Sequence, residues 1–86
     1  MRTKIKICGI TKLSNALEAA ELGVDALGFV FYRDSPRYIE PKKAREIINL
    51  LPSFISRVGL FVNASKEEVL LAISESRVNM LQFHGD

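Results

Sequence analysis

One cysteine is all that this chain of 86 residues contains, so no internal disulfide can form, and no CxxC pair or Cys/His cluster offers a zinc site. Long apolar runs are missing as well. No stretch reaches the ~18 residues of a membrane span. After the basic start at Met1 to Lys4, the segment Ile5 to Ile10 is interrupted by Lys6 and Gly9, too short and too polar for the apolar region of a signal peptide. Charge of one sign is nowhere gathered: 12 basic and 10 acidic residues are scattered along the chain and leave a net charge of +2. A protein that tracks nucleic-acid phosphates collects its Lys and Arg on one face, so a small anionic ligand suits this charge better. There is no GxGxxG or P-loop, no linker, no low-complexity segment and no solenoid repeat. These absences lead us to expect a reduced, cytoplasmic, soluble protein with neither a nucleic-acid nor a membrane partner.

What remains is 48% hydrophobic and 26% charged, an ordinary globular composition, spread over a length that allows one domain, residues 1–86. Lys4 to Cys8 alternates with the period of a strand until Gly9 breaks it. Leu13, Ala16, Leu17 and Ala20 fall at helical spacing, with Asn15 and Glu18 placed like a capping box and Gly23 as the stop. Asp25 to Phe31 is a continuous apolar run of strand length. Tyr32 to Ile39 is polar and holds Pro36, which makes it a loop. Pro41 suits a first helical turn, and Ala44, Ile47, Ile48 and Leu51 form a stripe that Pro52 should terminate. Ser56 to Val62 reads as a third strand, and Ser65 with Glu68 as a capping box for a third helix ending near Ser76. Asn79 to His84 reads as the fourth strand.

The order β-α-β-α-β-α-β implies an α/β fold with a parallel sheet and right-handed crossovers. Two architectures compete, an open doubly wound sheet and an arc of a (β/α)8 TIM barrel. Ile5 and Ile7 share one face of the first strand and leave Lys4, Lys6 and Cys8 on the other, while Leu81 and Phe83 oppose Gln82 and His84 in the fourth. A doubly wound sheet buries both faces and would not want Lys6, Arg57, Gln82 and His84 there. A barrel has helices only outside and keeps reactive groups at the carboxyl ends of its strands. The arc is therefore preferred, as the N-terminal half of a barrel that needs ~250 residues in full. Its two open edges should pair with another copy or a complementary half.

Cys8 ends the first strand, where a thiol can act as base or nucleophile if a neighbour such as Lys6 favours the thiolate; a small buried hydrophobe is the alternative. Arg37 offers a planar bidentate donor for carboxylate or phosphate, unless it is a solvated loop residue. Gln82 and His84 share the inner face, where on position alone a structural role is the more common one. Asn63 reads as a turn residue rather than a ligand.

KICGIT (Lys6 to Thr11), GVDALGFVFYRDSPRYI (Gly23 to Ile39), VGLFVN (Val58 to Asn63) and LQFHGD (Leu81 to Asp86) resemble, in this order, the signatures of the phosphoribosylanthranilate isomerase family. The resemblance implies an Amadori rearrangement in tryptophan biosynthesis, from N-(5-phosphoribosyl)anthranilate to 1-(2-carboxyphenylamino)-1-deoxyribulose 5-phosphate, without metal or redox cofactor. An acid protonates the sugar ring oxygen and opens it to a Schiff base; a base then removes the proton on C2, and the enolamine becomes a ketone. By resemblance Cys8 is the catalytic base, Arg37 binds the anthranilate carboxylate, and Gln82 and His84 line the substrate pocket, sharing a cavity with the thiol. The family's general acid and phosphate site belong to later strands. Neither Asp25, Asp34 nor Asp86 matches that acid, so the isolated chain is expected to be inactive. The alternatives are a non-catalytic, self-associating half-barrel module and another phosphate-sugar barrel enzyme; a receiver domain is disfavoured because Cys8 stands where its acidic cluster would.

Overall fold

The computed structural model describes residues 3–85; Met1 and Arg2 of the basic start and Asp86 lie outside that range. In chain order the elements are β1 (Lys6–Cys8), α1 (Leu13–Glu21), β2 (Ala26–Val30), α2 (Pro41–Ile48), β3 (Ser56–Val62), α3 (Lys66–Ser76) and β4 (Met80–His84). All strand pairings are parallel and the spatial order is β1-β2-β3-β4. Because every crossover steps in the same direction, right-handed connections place all the helices on one side of the sheet. A doubly wound sheet would reverse its strand order, so the barrel arc is the architecture found.

Burial confirms which face the helices cover. Leu27 and Phe29 of β2, both 0% exposed, enter one core with Ala16 and Ala19 of α1 and Ala44, Ile47 and Ile48 of α2, and Ile73 of α3 packs against it. The pairing Ile7 to Leu27 to Arg57 sets Arg57 on this same face. That corrects the sequence reading, which grouped Arg57 with Lys6, Gln82 and His84. Alternation alone does not say which parity of one strand matches which parity of the next; the hydrogen-bonded register does. Arg57 donates from Nη2 to the Pro52 carbonyl oxygen at 3.3 Å, while its buried Nε has no partner among the described residues. The opposite, concave face carries Lys6, Cys8, Gly28, Val30, Val58, Leu60, Gln82 and His84 by register. Val30 and Val58 are buried there but lie outside the main core.

Helix boundaries depart from the sequence reading in two places. The N-cap of α1 is Lys12, in extended conformation and without a side-chain cap, so Asn15 lies inside the helix and its expected capping box with Glu18 does not form. The helix starts at Leu13, itself exposed, and its first buried residue is Ala16. α2 ends at its C-cap Asn49, before Pro52, because the Leu50 and Leu51 amides turn back to the Ile47 and Ile48 carbonyls at 3.0 and 3.1 Å. Leu51 still reaches the core at 8% exposure. In α3 the capping box is present: the Ser65 side chain accepts from the Glu68 amide, and the Glu68 carboxylate accepts from the Ser65 amide, both at 3.2 Å. The Ser65 backbone amide, and after it the Ser65 side chain, favour the ionised Glu68 carboxylate and lower its pKa, with a smaller contribution from the Arg33 charge.

Candidate active site

Cys8 is placed by the way β1 ends. Gly9 follows with φ +91°, a left-handed conformation open to glycine, and the amides of Gly9 and Ile10 both donate to the Gly28 carbonyl at 3.0 Å. The strand stops there, with the thiol half-buried on the concave face beside Gly28, its register partner. A Cβ on Gly28 would stand 2.9 Å from Cys8 Sγ and 3.2 Å from Cys8 Cα. The missing side chain at residue 28 is therefore the seat of the thiol.

Arg37 reaches this spot from the β2–α2 loop. Two turns fold the loop, with Ser35 N–H donating to the Tyr32 carbonyl at 3.0 Å and Tyr38 N–H to that of Ser35 at 3.1 Å. Arg37 N–H donates to Ser35 Oγ at 3.1 Å. Tyr38 then bridges to Val30, and Ile39, 6% exposed, anchors the return in the core. The loop so held lays the Arg37 side chain across Gly9: a Cβ there would collide with Arg37 Cδ and fall 3.2 Å from Nη1. Gly9 and Arg37, with the end of β1 at Cys8, also border a cleft that runs down the β1 edge on the helix side, past Ile7 and the α1 residues Asn15, Glu18, Ala19 and Leu22. Among the described residues no hydrogen bond or ion pair engages the guanidinium, which leaves its donors available for an anion.

Gln82 and His84 form a second group. Lys6 Nζ donates to Gln82 Oε1, and Gln82 Nε2 lies 3.0 Å from His84 Nε2. In the ladder Lys6 is level with Ser56, whereas Gln82 is level with Leu60, four residues further along β3. Their contact across the concave face requires the strands to tilt and the sheet to curl by roughly one residue per strand, which is the shear of an eight-stranded barrel. Cys8 and His84, each two residues beyond a member of that contact, then stand at about the same height on the inner wall. By register Cys8, Gln82 and His84 share the concave face, while Arg37 comes to the end of β1 over Gly9. Lys6 is directed at Gln82 and not at the thiol.

Asn63, just past β3, has φ +49° and donates its amide to the His84 carbonyl at 3.3 Å, the turn role expected of it. Two contributors escaped sequence reasoning. Gly28 as the seat of the thiol depends on pairing register, which sequence does not carry; Lys6 as a partner of Gln82 follows from both being on the polar parity of their strands. Among the described residues, no group of three or more His, Cys, Asp or Glu could hold a metal ion, and no helix is long and apolar enough to cross a membrane.

Comparison with known proteins gives one consistent result. The sequence model of the N-(5'-phosphoribosyl)anthranilate (PRA) isomerase family matches residues 5–86. The chain is 53% identical over 85 residues to N-(5'-phosphoribosyl)anthranilate isomerase of Herminiimonas arsenicoxydans, covering 99% of this chain and 37% of the relative. It is 55% identical over 83 residues to that of Trichlorobacter lovleyi, covering 96% of the chain and 40% of the relative. A solved phosphoribosyl anthranilate isomerase in complex with reduced 1-(o-carboxyphenylamino)-1-deoxyribulose 5-phosphate superposes with a TM-score of 0.95 at 49% identity, over 99% of this chain and 44% of the other. Mutually generated monomers of the dimeric enzyme from Thermotoga maritima superpose with a TM-score of 0.92 at 47% identity, over 99% and 44%. The chain thus spans about two fifths of the length of these relatives.

Proposed function

Because this chain belongs to the N-(5'-phosphoribosyl)anthranilate isomerase family, we propose that its strands supply the proton-abstracting and carboxylate-binding end of an Amadori rearrangement. The observation that carries this reading is Arg37 laid across Gly9, directly after Cys8 at the carboxyl end of β1. A planar fork of donors beside a base at the end of a barrel strand suits a substrate with a carboxylate on one side and an acidic C–H on the other. The ligand of the similar solved structure bears an o-carboxyphenyl group and a phosphate. On this reading Arg37 orients the aryl carboxylate, Cys8 as thiolate takes the C2 proton of the opened Schiff base, and Gln82 and His84 line the wall that faces the sugar.

Ring opening needs an acid, and the phosphate needs an anchor. Each is worth several kcal/mol of barrier or positioning, about 10²–10⁴-fold in rate for the acid alone. The resemblance assigns both to strands beyond β4, so the chain by itself turns over no substrate and works together with a complementary half. Cys8 has no possible disulfide partner within the chain and serves as a free thiol in a reducing, cytoplasmic setting. The sheet edges at β1 and β4 are where a second copy or the complement would pair. Leu81 and Phe83, 41% and 61% exposed on the helix side of β4, favour the second reading of a self-associating module.

One experiment addresses both readings. The chain is sedimented alone and then mixed with a polypeptide carrying the remaining strands of a relative. Turnover is expected only in the mixture, with Cys8→Ala reducing it by at least about 10²-fold. Turnover indifferent to Cys8→Ala removes the thiol as base, and a monomer at high concentration that gains nothing from the complement removes edge pairing.

A further inference from the structure

We propose that Lys6 is a positioning residue: through the Gln82 amide it fixes the tautomer of His84, so that the inner wall presents a neutral imidazole with its proton on Nδ1. The inference deepens the reading that this wall faces the substrate, but its argument is independent of turnover. A lysine ammonium has three donors and no acceptor, so only the oxygen of a carboxamide can face it. Lys6 Nζ donates to Gln82 Oε1, and this contact decides which way the amide points. The amide nitrogen is thereby turned toward His84, where it lies 3.0 Å from Nε2. That nitrogen brings two donors and no acceptor. His84 Nε2 must accept, and an imidazole that accepts at Nε2 carries its proton on Nδ1.

The consequence for the wall is specific. The ammonium of Lys6 is engaged in orienting an amide instead of standing beside Cys8 Sγ, and the histidine offers one defined donor at Nδ1. A neutral imidazole donor suits a hydroxyl or carbonyl oxygen of a sugar and adds no net charge. Without Lys6 the amide is free to rotate by half a turn, its oxygen can accept from Nε2–H, and the imidazole loses its reason to prefer Nδ1–H.

His84 is the only histidine in the chain, so histidine labelled with ¹⁵N reports on this ring alone. The two ring nitrogens are read by long-range ¹H–¹⁵N correlation of the 86-residue protein. The pH is set near 8.5, about two units above the ordinary histidine value of ~6.5. The expected wild-type spectrum has a protonated Nδ1 and a bare Nε2. Lys6→Met should abolish that preference and Lys6→Arg, which also only donates, should keep it. Gln82→Glu should invert it, because a carboxylate flanked by Lys6 accepts from Nε2–H. A wild-type ring protonated on Nε2, a Lys6→Met spectrum identical to wild type, or a Gln82→Glu ring still protonated on Nδ1 would each overturn the proposal. Lys6 is exposed, so Lys6→Met leaves the core packing in place, and Lys6→Arg, with the same donors and no acceptor, separates loss of the orienting cation from any disturbance of β1, while Gln82→Glu tests that residue 82 sets the tautomer. None of these readings requires turnover, so loss of the isomerase assignment would leave the tautomer result standing.

Discussion

The two faces of the sheet are built from the same strands and do opposite work. On the helix side, Leu27 and Phe29 are fully buried and Phe61 is 2% exposed, with Phe61 in ring contact with Phe31 at 5.6 Å and with Phe83 at 5.7 Å. On the concave side, Cys8 and Gln82 are half-buried and Lys6 and His84 exposed, and side-chain hydrogen bonds link Lys6, Gln82 and His84. Apolar burial is worth ~25 cal/mol per Å², whereas exposed polar contacts contribute about 1 kcal/mol or less apiece. The difference teaches that stability resides on one face and chemistry on the other, so a substitution's effect should follow strand parity more than sequence position.

The largest effect expected from that rule is Phe29→Ala. Removing this ring from a closed core should cost about 3–5 kcal/mol, comparable with the stability of a small domain, and leave the chain largely unfolded by circular dichroism. Cys8→Ala on the other face should leave the unfolding midpoint nearly unchanged. Equal destabilisation by the two changes would break the comparison, since it would mean that the concave wall also carries the fold.

Strand parity is largely legible in the sequence. The alternation in Lys4 to Cys8 and Leu81 to His84 separated apolar from polar faces correctly because a strand's side chains have a period of two. Ser56 to Val62 and the Ser65/Glu68 cap coincide with β3 and the start of α3, where local hydrogen bonding decides the boundary. Arg57 was misassigned because a single strand's alternation leaves open which face meets which in its neighbour; only register resolved it. The α1 cap failed for a different reason. Asn15 and Glu18 have the right spacing, but burial of Ala16 and Ala19 carries the helix, and its start at Leu13 needs no side-chain cap. Of the site, the residue types at strand exits were readable and their mutual placement was not, since Arg37 comes over Gly9 through a loop whose turns no spacing rule specifies.

Gly28→Ala sharpens the comparison at the one place where the faces cannot be treated separately. The residue is buried and belongs to the concave parity, yet its new methyl would lie 2.9 Å from Cys8 Sγ and 3.2 Å from Cys8 Cα. A side-chain rotation can relieve the first contact but not the second, which involves backbone. An overpacking cost of about 1–3 kcal/mol is expected, together with displacement of the thiol. Chemical denaturation measures the first and the alkylation rate of the single cysteine the second. Wild-type values for both would mean that the space beside β1 is not filled by the thiol.

The smallest effect should come from Glu68, which lies on neither face of the sheet. Its pKa is lowered from the ordinary 4.5 chiefly by the Ser65 backbone amide, then by the Ser65 side chain, and least by the Arg33 charge. A carboxylate with a depressed folded value adds stability that is complete above the unfolded value and is lost as pH falls through the lowered one. The thermal midpoint should therefore decline more steeply below about pH 4.5 in the wild type than in Glu68→Gln, which keeps an acceptor at the cap but cannot titrate. The carboxylate is fully exposed, so solvent screens the interaction and the difference in slope should be slight. Parallel curves would show that the cap contributes through geometry alone. A large divergence would instead mean that the loop bearing Arg33, which continues to Arg37, is held in place by this charge, tying the position of the anion-binding arginine to a helix cap outside both faces.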